Sequence, residues 1–255
     1  LFFLSNPILS QDYNTILEEK VDFLVTFGIF NAGKATMVTD TKIHSISNEE
    51  TIQIDVTGKS IGLFDLFTTV RDKWGVYITK NELEPKKFYK YLREGKYRKN
   101  EILNFIENSD SVQIEILDKK TKEFVEHKYL HFEDDIQKII RSYFMNYWIS
   151  SLAYLRSLDY SETLSRELIE IPYFEENEKF SYQMKFLRRD TIETKIGNYN
   201  SLVFAPVIPK NKLFEEEDAV KFWLTDDNRK IPLKLEAKMN FGSFVIEVSD
   251  YSNVK

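Results

Sequence analysis

The sequence predicts a mainly β (α+β) fold: a strongly curved antiparallel sheet or open barrel with one long helix packed against it. Three observations carry this expectation. Apolar and polar residues alternate with period two through most of the chain. Short clusters of turn-forming residues, not helical crossovers, separate the alternating stretches. One stretch alone, residues 135–157, repeats its apolar residues at helical spacing. The 255 residues are 42% hydrophobic and 15% aromatic, enough for a substantial core of rings that pack well on pleated surfaces.

Along the chain, Val21, Phe23, Val25, Phe27 and Ile29 share one strand face, with Asp22 and Thr26 on the other. Asn31-Ala32-Gly33 supplies turn chemistry, and Ala35, Met37 and Val38 open the returning strand. Ile52, Ile54 and Val56 alternate with Gln53 and Asp55, and Val112, Ile114 and Ile116 alternate with Gln113 and Glu115. Asp118-Lys119-Lys120-Thr121 then reads as a hairpin turn. Late faces are Phe180, Tyr182, Met184 and Phe186; Ile231, Leu233 and Leu235; and Phe244, Ile246 and Val248.

In the helical stretch, Ile136, Ile139, Ile140, Tyr143, Phe144, Tyr147 and Trp148 form a stripe that continues through Leu152 and Leu155. Asp134 or Asp135 can cap its N-terminus. At 1.5 Å per residue such a helix is about 35 Å long. Met145, Ile149 and Tyr154 widen the stripe, so burial on more than one side is expected, in a core helix clasped by the sheet. Lys138, Arg141 and Arg156 argue against a membrane span, and no other segment is apolar for long enough to form one.

A faint internal echo joins the two halves. Val76-Tyr77-Ile78-Thr79, Pro85 and Gly95-Lys96-Tyr97 are answered by Phe222-Trp223-Leu224-Thr225, Pro232 and Gly242-Ser243-Phe244. The expected organisation is therefore one β-rich domain over residues 11–255, or two related β units at about 20–130 and 160–255 flanking the helix. Residues 1–10 resemble the end of a signal peptide, Leu1-Phe2-Phe3-Leu4 followed by Asn6-Pro7 and a small Ser10, with Gln11 as the mature start. The alternative is a buried N-terminal strand. No cysteine follows for lipid attachment, so the expected location is the periplasm or the periplasmic face of the outer membrane.

Several chemistries are disfavoured. The chain has no cysteine, which removes disulfides, thiolate metal sites and cysteine nucleophiles. A net charge of -6 gives no field suited to nucleic acid. Gly58-Lys59-Ser60-Ile61-Gly62 matches the nucleophile-elbow pattern, and Leu63 to Val70 could add a helical turn. The α/β context is missing, however, and a glycine-flanked β turn whose serine is dispensable to the fold is expected. His127 and His131 lie on an extended segment about 13 Å apart, too far to share an ion. Asp226-Asp227-Asn228 offers clustered oxygens but reads as a hairpin turn, and Glu215 to Asp218 as a solvated connection. No phosphate-cradling loop or dinucleotide fingerprint occurs, and no cofactor or metal is expected.

One surface segment stands out. Lys86, Lys87, Tyr89, Lys90 and Arg93 interleave cations with rings and continue into Lys96, Tyr97, Arg98 and Lys99. Such a run can hold an anionic group by charge and stacking, or can simply guard a lysine-rich strand edge.

Phe27-Gly28-Ile29-Phe30-Asn31-Ala32-Gly33-Lys34-Ala35, Val70-Arg71-Asp72, Leu83-Glu84-Pro85 and Glu94-Gly95-Lys96-Tyr97 resemble the domain of unknown function 3108 family of exported Bacteroidetes proteins. Ser151-Leu152-Ala153-Tyr154-Leu155-Arg156, Trp223-Leu224-Thr225-Asp226-Asp227 and Gly242-Ser243 fit the same pattern. The resemblance implies an envelope location and carries no catalytic residue. Phe222 to Tyr251 is also faintly similar to the closing strands of LolA-like lipoprotein carriers, whose curved sheets take up acyl chains. The expected function is a non-catalytic envelope protein holding a hydrophobic ligand such as a lipid through Tyr143, Tyr147, Trp148 and Trp223. The alternatives are an accessory subunit docking on another envelope protein through residues 86–99, and a glycan- or lipid-acting enzyme using Asp and Glu side chains.

Overall fold

A computed structural model describes residues 18–80, 83, 85–106, 111–118, 121–131, 149, 152–160, 164, 168–175, 178–208, 214 and 216–253. Fourteen strands follow one another: β1 (Glu19–Phe27), β2 (Phe30–Ile46), β3 (Glu49–Ser60), β4 (Arg71–Thr79), β5 (Pro85–Glu94), β6 (Tyr97–Phe105), β7 (Ser111–Leu117), β8 (Phe124–His131), β9 (Leu168–Glu175), β10 (Glu178–Thr194), β11 (Gly197–Pro206), β12 (Val220–Thr225), β13 (Pro232–Met239) and β14 (Gly242–Asn253). A single turn of helix, α1 (Gly62–Phe67), interrupts them after β3.

All fourteen form one antiparallel sheet in the order β8-β7-β6-β5-β4-β3-β2-β1-β14-β13-β12-β11-β10-β9. Every neighbour except β1–β14 is also a sequence neighbour, or is joined through a loop, as the closely spaced period-two stretches require. The β1–β14 ladder, from Glu19↔Asn253 to Phe27↔Phe244, welds the first and last strands together and makes the two halves one sheet. The echoed segments occupy β4–β5–β6 and β12–β13–β14.

Two architectural expectations need correction. The sheet is open and not strongly curled. A barrel closes only when its edge strands hydrogen-bond to each other, and β8 and β9 stand at opposite ends of the order. Among the described residues there is no long helix. Helical backbone is confined to α1, Ile149, residues 152–157 and Tyr160, while residues 135–148, 150 and 151 of the predicted helix lie outside the described residues. The helical connection ends where hydroxyls take over its last carbonyls: Ser157 Oγ donates to Tyr154 O (2.7 Å) and Tyr160 Oη to Leu155 O (2.5 Å).

The first hairpin turn is also displaced. It falls at Gly28-Ile29, where Gly28 is left-handed at φ 58°, and not at Asn31–Gly33. Gly33 is instead a strand glycine: a Cβ there would lie 2.8 Å from Lys59 O, so β2 and β3 approach as they do only without one. The turn expected at Asp118 forms, with Thr121 N donating to Asp118 Oδ1 at 2.7 Å.

The core lies on the sheet face that meets the helical connection. Ile54, Val76, Phe88, Leu103 and Ile114 stand in register across five strands and cluster with Ile149 and Ala153. A second cluster, Leu155 and Leu158 with Ile169, Met184, Leu202, Phe204 and Leu224, continues it, and Leu152 and Tyr154 touch both. Ile149, Leu155 and Leu158 are 1–2% exposed, so the described part of the connection is closely packed.

A buried ion pair fixes that connection. Arg156 donates to both carboxylate oxygens of Glu19, at 2.5 and 2.7 Å, and to Arg229 O at 3.1 Å. Burial opposes the charge on Arg156, and Glu19 outweighs it, holding the guanidinium above its ordinary pKa. Lys230 lies beside the pair. It donates to Leu158 O and covers the Tyr160 ring, and burial lowers its pKa.

Candidate functional site

The opposite face of β2–β6 carries the most organised polar chemistry of the described residues. Since side chains alternate across a strand, register decides which groups meet. Nearest the α1 end, Lys34 pairs with Lys59 and Lys59 with Arg71, while Arg93 pairs with Arg98. The β4–β5 register, carried on to the Val70–Glu94 bridge, sets Arg71 beside Arg93. Five cations thus form one row across five strands. Like charges directly opposite in a sheet cost stability, so this row is a feature the fold carries at a loss.

Asp65 engages one member, with Arg71 Nη1 and Nη2 at 2.7 and 3.1 Å from its two oxygens. The Arg71 bonds, aided by Ser60, hold the Asp65 carboxyl at a pKa of about 2. Among the described residues no carboxylate stands at ion-pair distance from Lys34, Lys59, Arg93 or Arg98. Among the described residues, the Arg98 head group bonds only the carbonyls of Gly95 and Tyr97.

Below the cations lies an aromatic and polar platform. Lys73 pairs with Asp55 at 2.7 Å and stands 5.6 Å from the centre of the Tyr89 ring. Tyr89 stacks on Tyr91 (5.3 Å), approaches Tyr77, and meets Asp55 and Gln53 through its hydroxyl. Burial and the adjacent Asp55 charge push the Tyr89 phenol pKa up, so it remains a donor. Gly75 makes this arrangement possible, because a Cβ there would overlap the Tyr89 ring that lies across it. Further down, Tyr77 meets the His44 ring edge-on at 5.3 Å, and His44 Nε2 is 2.7 Å from Asp40 Oδ2.

A family model described as Protein of unknown function (DUF3108) matches residues 22–249. The chain belongs to this family. No curated protein matches it. Three solved structures are similar over nearly the whole chain. A β-barrel-like protein of the DUF1849 family from Brucella abortus has 7% identity, covers 92% of this chain and 96% of its own, and has a TM-score of 0.46. The hypothetical protein CT021 from Chlamydia trachomatis has 8% identity, 98% and 94% coverage and a TM-score of 0.39. A Bacteroides fragilis protein described as exported, with a YmcC-like fold, has 6% identity, 92% and 95% coverage and a TM-score of 0.35.

Within this DUF3108 protein, β5 divides the basic segment between the two faces. Lys90 lies on the core side, bound to Glu101 (2.9 Å), which Lys99 also binds (2.8 Å), and Lys86, at the β4–β5 register shift, binds Glu49 (2.6 Å). Lys87, Tyr89 and Arg93 lie on the outer face, where Arg93 joins the cation row. Tyr143, Tyr147 and Trp148 lie outside the described residues. Trp223 is buried, donates to Asp190 at 3.4 Å, and is covered by Lys234 at 4.8 Å.

Ser60 does stand between a strand and a helical turn, but in an antiparallel sheet, and among the described residues no imidazole bonds it. Its Oγ donates to Asp65 Oδ1 (2.5 Å) and accepts from Val70 N (2.8 Å). It is a buried tie holding the α1 loop and not the dispensable turn serine expected. Asp227 likewise serves its turn, accepting from Thr225 Oγ1 at 2.6 Å and from the Arg229 and Lys230 backbone N–H groups. Sequence reasoning missed Lys34, Lys59 and Arg71, whose only signal is cross-strand register.

Proposed function

We propose that the protein is a non-catalytic binding protein of the bacterial envelope, and that the outer face of β2–β6 receives an anionic group. The observation that carries this reading is the row Lys34, Lys59, Arg71, Arg93 and Arg98, aligned despite mutual repulsion on a chain of net charge -6. An anion spanning the row relieves that repulsion, and the tyrosine platform beside it offers stacking surface. Titration calorimetry with inorganic tripolyphosphate tests it. Binding should weaken steeply with salt, and Lys34→Gln with Lys59→Gln and Arg98→Gln should lower affinity on the order of tenfold or more. Affinity indifferent to both salt and substitution overturns the reading.

A second reading places an apolar ligand such as a lipid between the sheet and the helical connection. Its support is that the two apolar clusters meet there at Leu152 and Tyr154. Native mass spectrometry after gentle purification separates the cases: a co-purifying lipid favours the carrier, and a stoichiometric protein favours an accessory subunit.

A further inference from the structure

Antiparallel neighbours reverse direction, so the connections β1–β2, β3–β4, β5–β6 and β13–β14 all emerge at one end of the sheet. Their side chains are unusual. Ile29 and Phe30 are 91% and 55% exposed, Phe241 is 64% exposed, and Leu63, Leu66 and Phe67 of α1 are 64%, 82% and 87% exposed. Tyr97, at 52%, adds a ring on the β5–β6 turn. Among the described residues, every large hydrophobic side chain more than half exposed is at this end.

These tips are held together, not loose. Gly28 N donates to Ser243 O (2.9 Å), Ile61 N to Ala32 O (3.0 Å) and Gly95 N to Thr69 O (2.8 Å). The Phe27 and Phe241 rings lie 6.4 Å apart, joining the two central hairpins. From β6 to β13 the edge crosses eight adjacent strands, about 35 Å at the usual strand spacing. An ordered apolar edge of this kind marks a surface meant to be covered.

The covering partner is identified by shape and charge. The tips stand side by side on adjacent strands at one end of the sheet, an arrangement that suits a plane. The cation row lies just below it: Lys34 follows Phe30, Arg71 follows Phe67, and Arg98 adjoins Tyr97. At strand rise these steps place the cations about 3–13 Å behind the apolar tips, the depth of a headgroup layer behind an acyl boundary. Lysine and arginine at that depth match anionic lipid.

We infer that this end of the sheet is a docking edge that seats the protein on an anionic lipid bilayer, apolar tips inserted and the cation row against the headgroups. This rests on the anion-binding reading above and names the lipid headgroup as the source of the anion.

Co-sedimentation of the full chain with vesicles tests it, using phosphatidylglycerol and phosphatidylcholine in equal parts against phosphatidylcholine alone. Mixed vesicles should bind the protein and pure phosphatidylcholine should bind it far less. Leu66→Ser with Phe67→Ser should lower partition on the order of tenfold or more, since each exchange removes an inserted apolar side chain. Both residues project into solvent, so the fold survives the change. Tripolyphosphate binding should stay intact in that variant. If the unaltered chain binds tripolyphosphate but no vesicle, the docking edge is wrong and the anion-binding face stands. If it binds neither, both fail. If Leu66→Ser with Phe67→Ser leaves partition unchanged, the edge is not the seat. A concentration-dependent dimer dispersed by the same variant would assign the edge to a second copy and overturn the inference.

Discussion

Replacing Glu19 by Gln should unfold this protein more readily than any surface change. Glu19 opens β1, and Arg156, on the helical connection, donates to both of its oxygens, with side chains 1% and 5% exposed. Two charge-assisted bonds of about 1.5–3 kcal/mol each are made in place of water. Gln keeps one acceptor oxygen but leaves the guanidinium buried without a counter-charge. Breaking one side of such a pair costs about 3–5 kcal/mol, so the Gln variant belongs near 3 kcal/mol. Against a total stability of about 5–15 kcal/mol this is a large fraction.

Urea unfolding followed by tryptophan fluorescence reads the change. With a slope of about 3 kcal/mol per molar urea for a chain of this size, the midpoint should fall by about 1 M. The double exchange Glu19→Leu with Arg156→Leu removes both charges and replaces them with apolar volume, and should cost clearly less than the sum of the two single exchanges. A Gln variant losing under about 1 kcal/mol, or additive single exchanges, would refute the view that the pair is desolvated and mutually dependent.

Gly75→Ala should cost about 2 kcal/mol because the new methyl displaces the Tyr89 ring, whereas the same exchange made on Tyr89→Ala should cost less, since the Asp55 carboxylate, with Oδ1 2.6 Å from the new methyl, then has room to shift. Tyr89→Phe should cost about 1–2 kcal/mol in thermal unfolding, since Asp55 and Gln53 lose their hydroxyl partner. Ser60→Ala should cost about 1–3 kcal/mol and raise proteolysis within residues 61–70, because Val70 N is left unpaired. The Asp65 carboxyl has its pKa lowered from 3.8 to about 2 in the fold, so its stabilisation is complete above pH 3.8 and is lost as pH falls from there toward 2. Amide exchange in α1 should accelerate across that window, and not in Asp65→Asn.

The strands were legible because one buried face imposes period two, and Val21, Ile54, Val76 and Phe88 all obey it. Asn31 and Gly33 carry turn chemistry and so draw the first turn to them in the sequence, while close strand approach and not chain reversal is what Gly33 serves. In the sequence Arg156 argues only against a membrane span. Its partner is 137 residues away, and no local pattern announces a contact of that separation. The basic run 86–99 is visible in the sequence, yet Glu49 and Glu101 take Lys86 and Lys90, and strand alternation leaves Arg93 and Arg98 to join the outer row. The rest of the row comes from β2, β3, β4 and β6, each with one cation that means nothing until the register is known.

Stability and docking are therefore placed at opposite ends of one strand. Glu19 begins β1, and the Arg229 carbonyl that shares Arg156 lies in the β12–β13 turn at the same end. Eight residues later β1 ends at Phe27, against Phe241 and the apolar tips, about 26 Å away at strand rise. Sites that far apart with no shared partner are expected to respond independently. Glu19→Gln, assayed below its unfolding midpoint, should bind mixed vesicles as the unaltered chain does. Leu66→Ser with Phe67→Ser should unfold at the unaltered midpoint to within about 0.5 kcal/mol while losing vesicle partition. A rim variant that loses stability together with binding would mean that the exposed side chains support the sheet, and the ordered apolar edge would then be explained by folding instead of by a membrane.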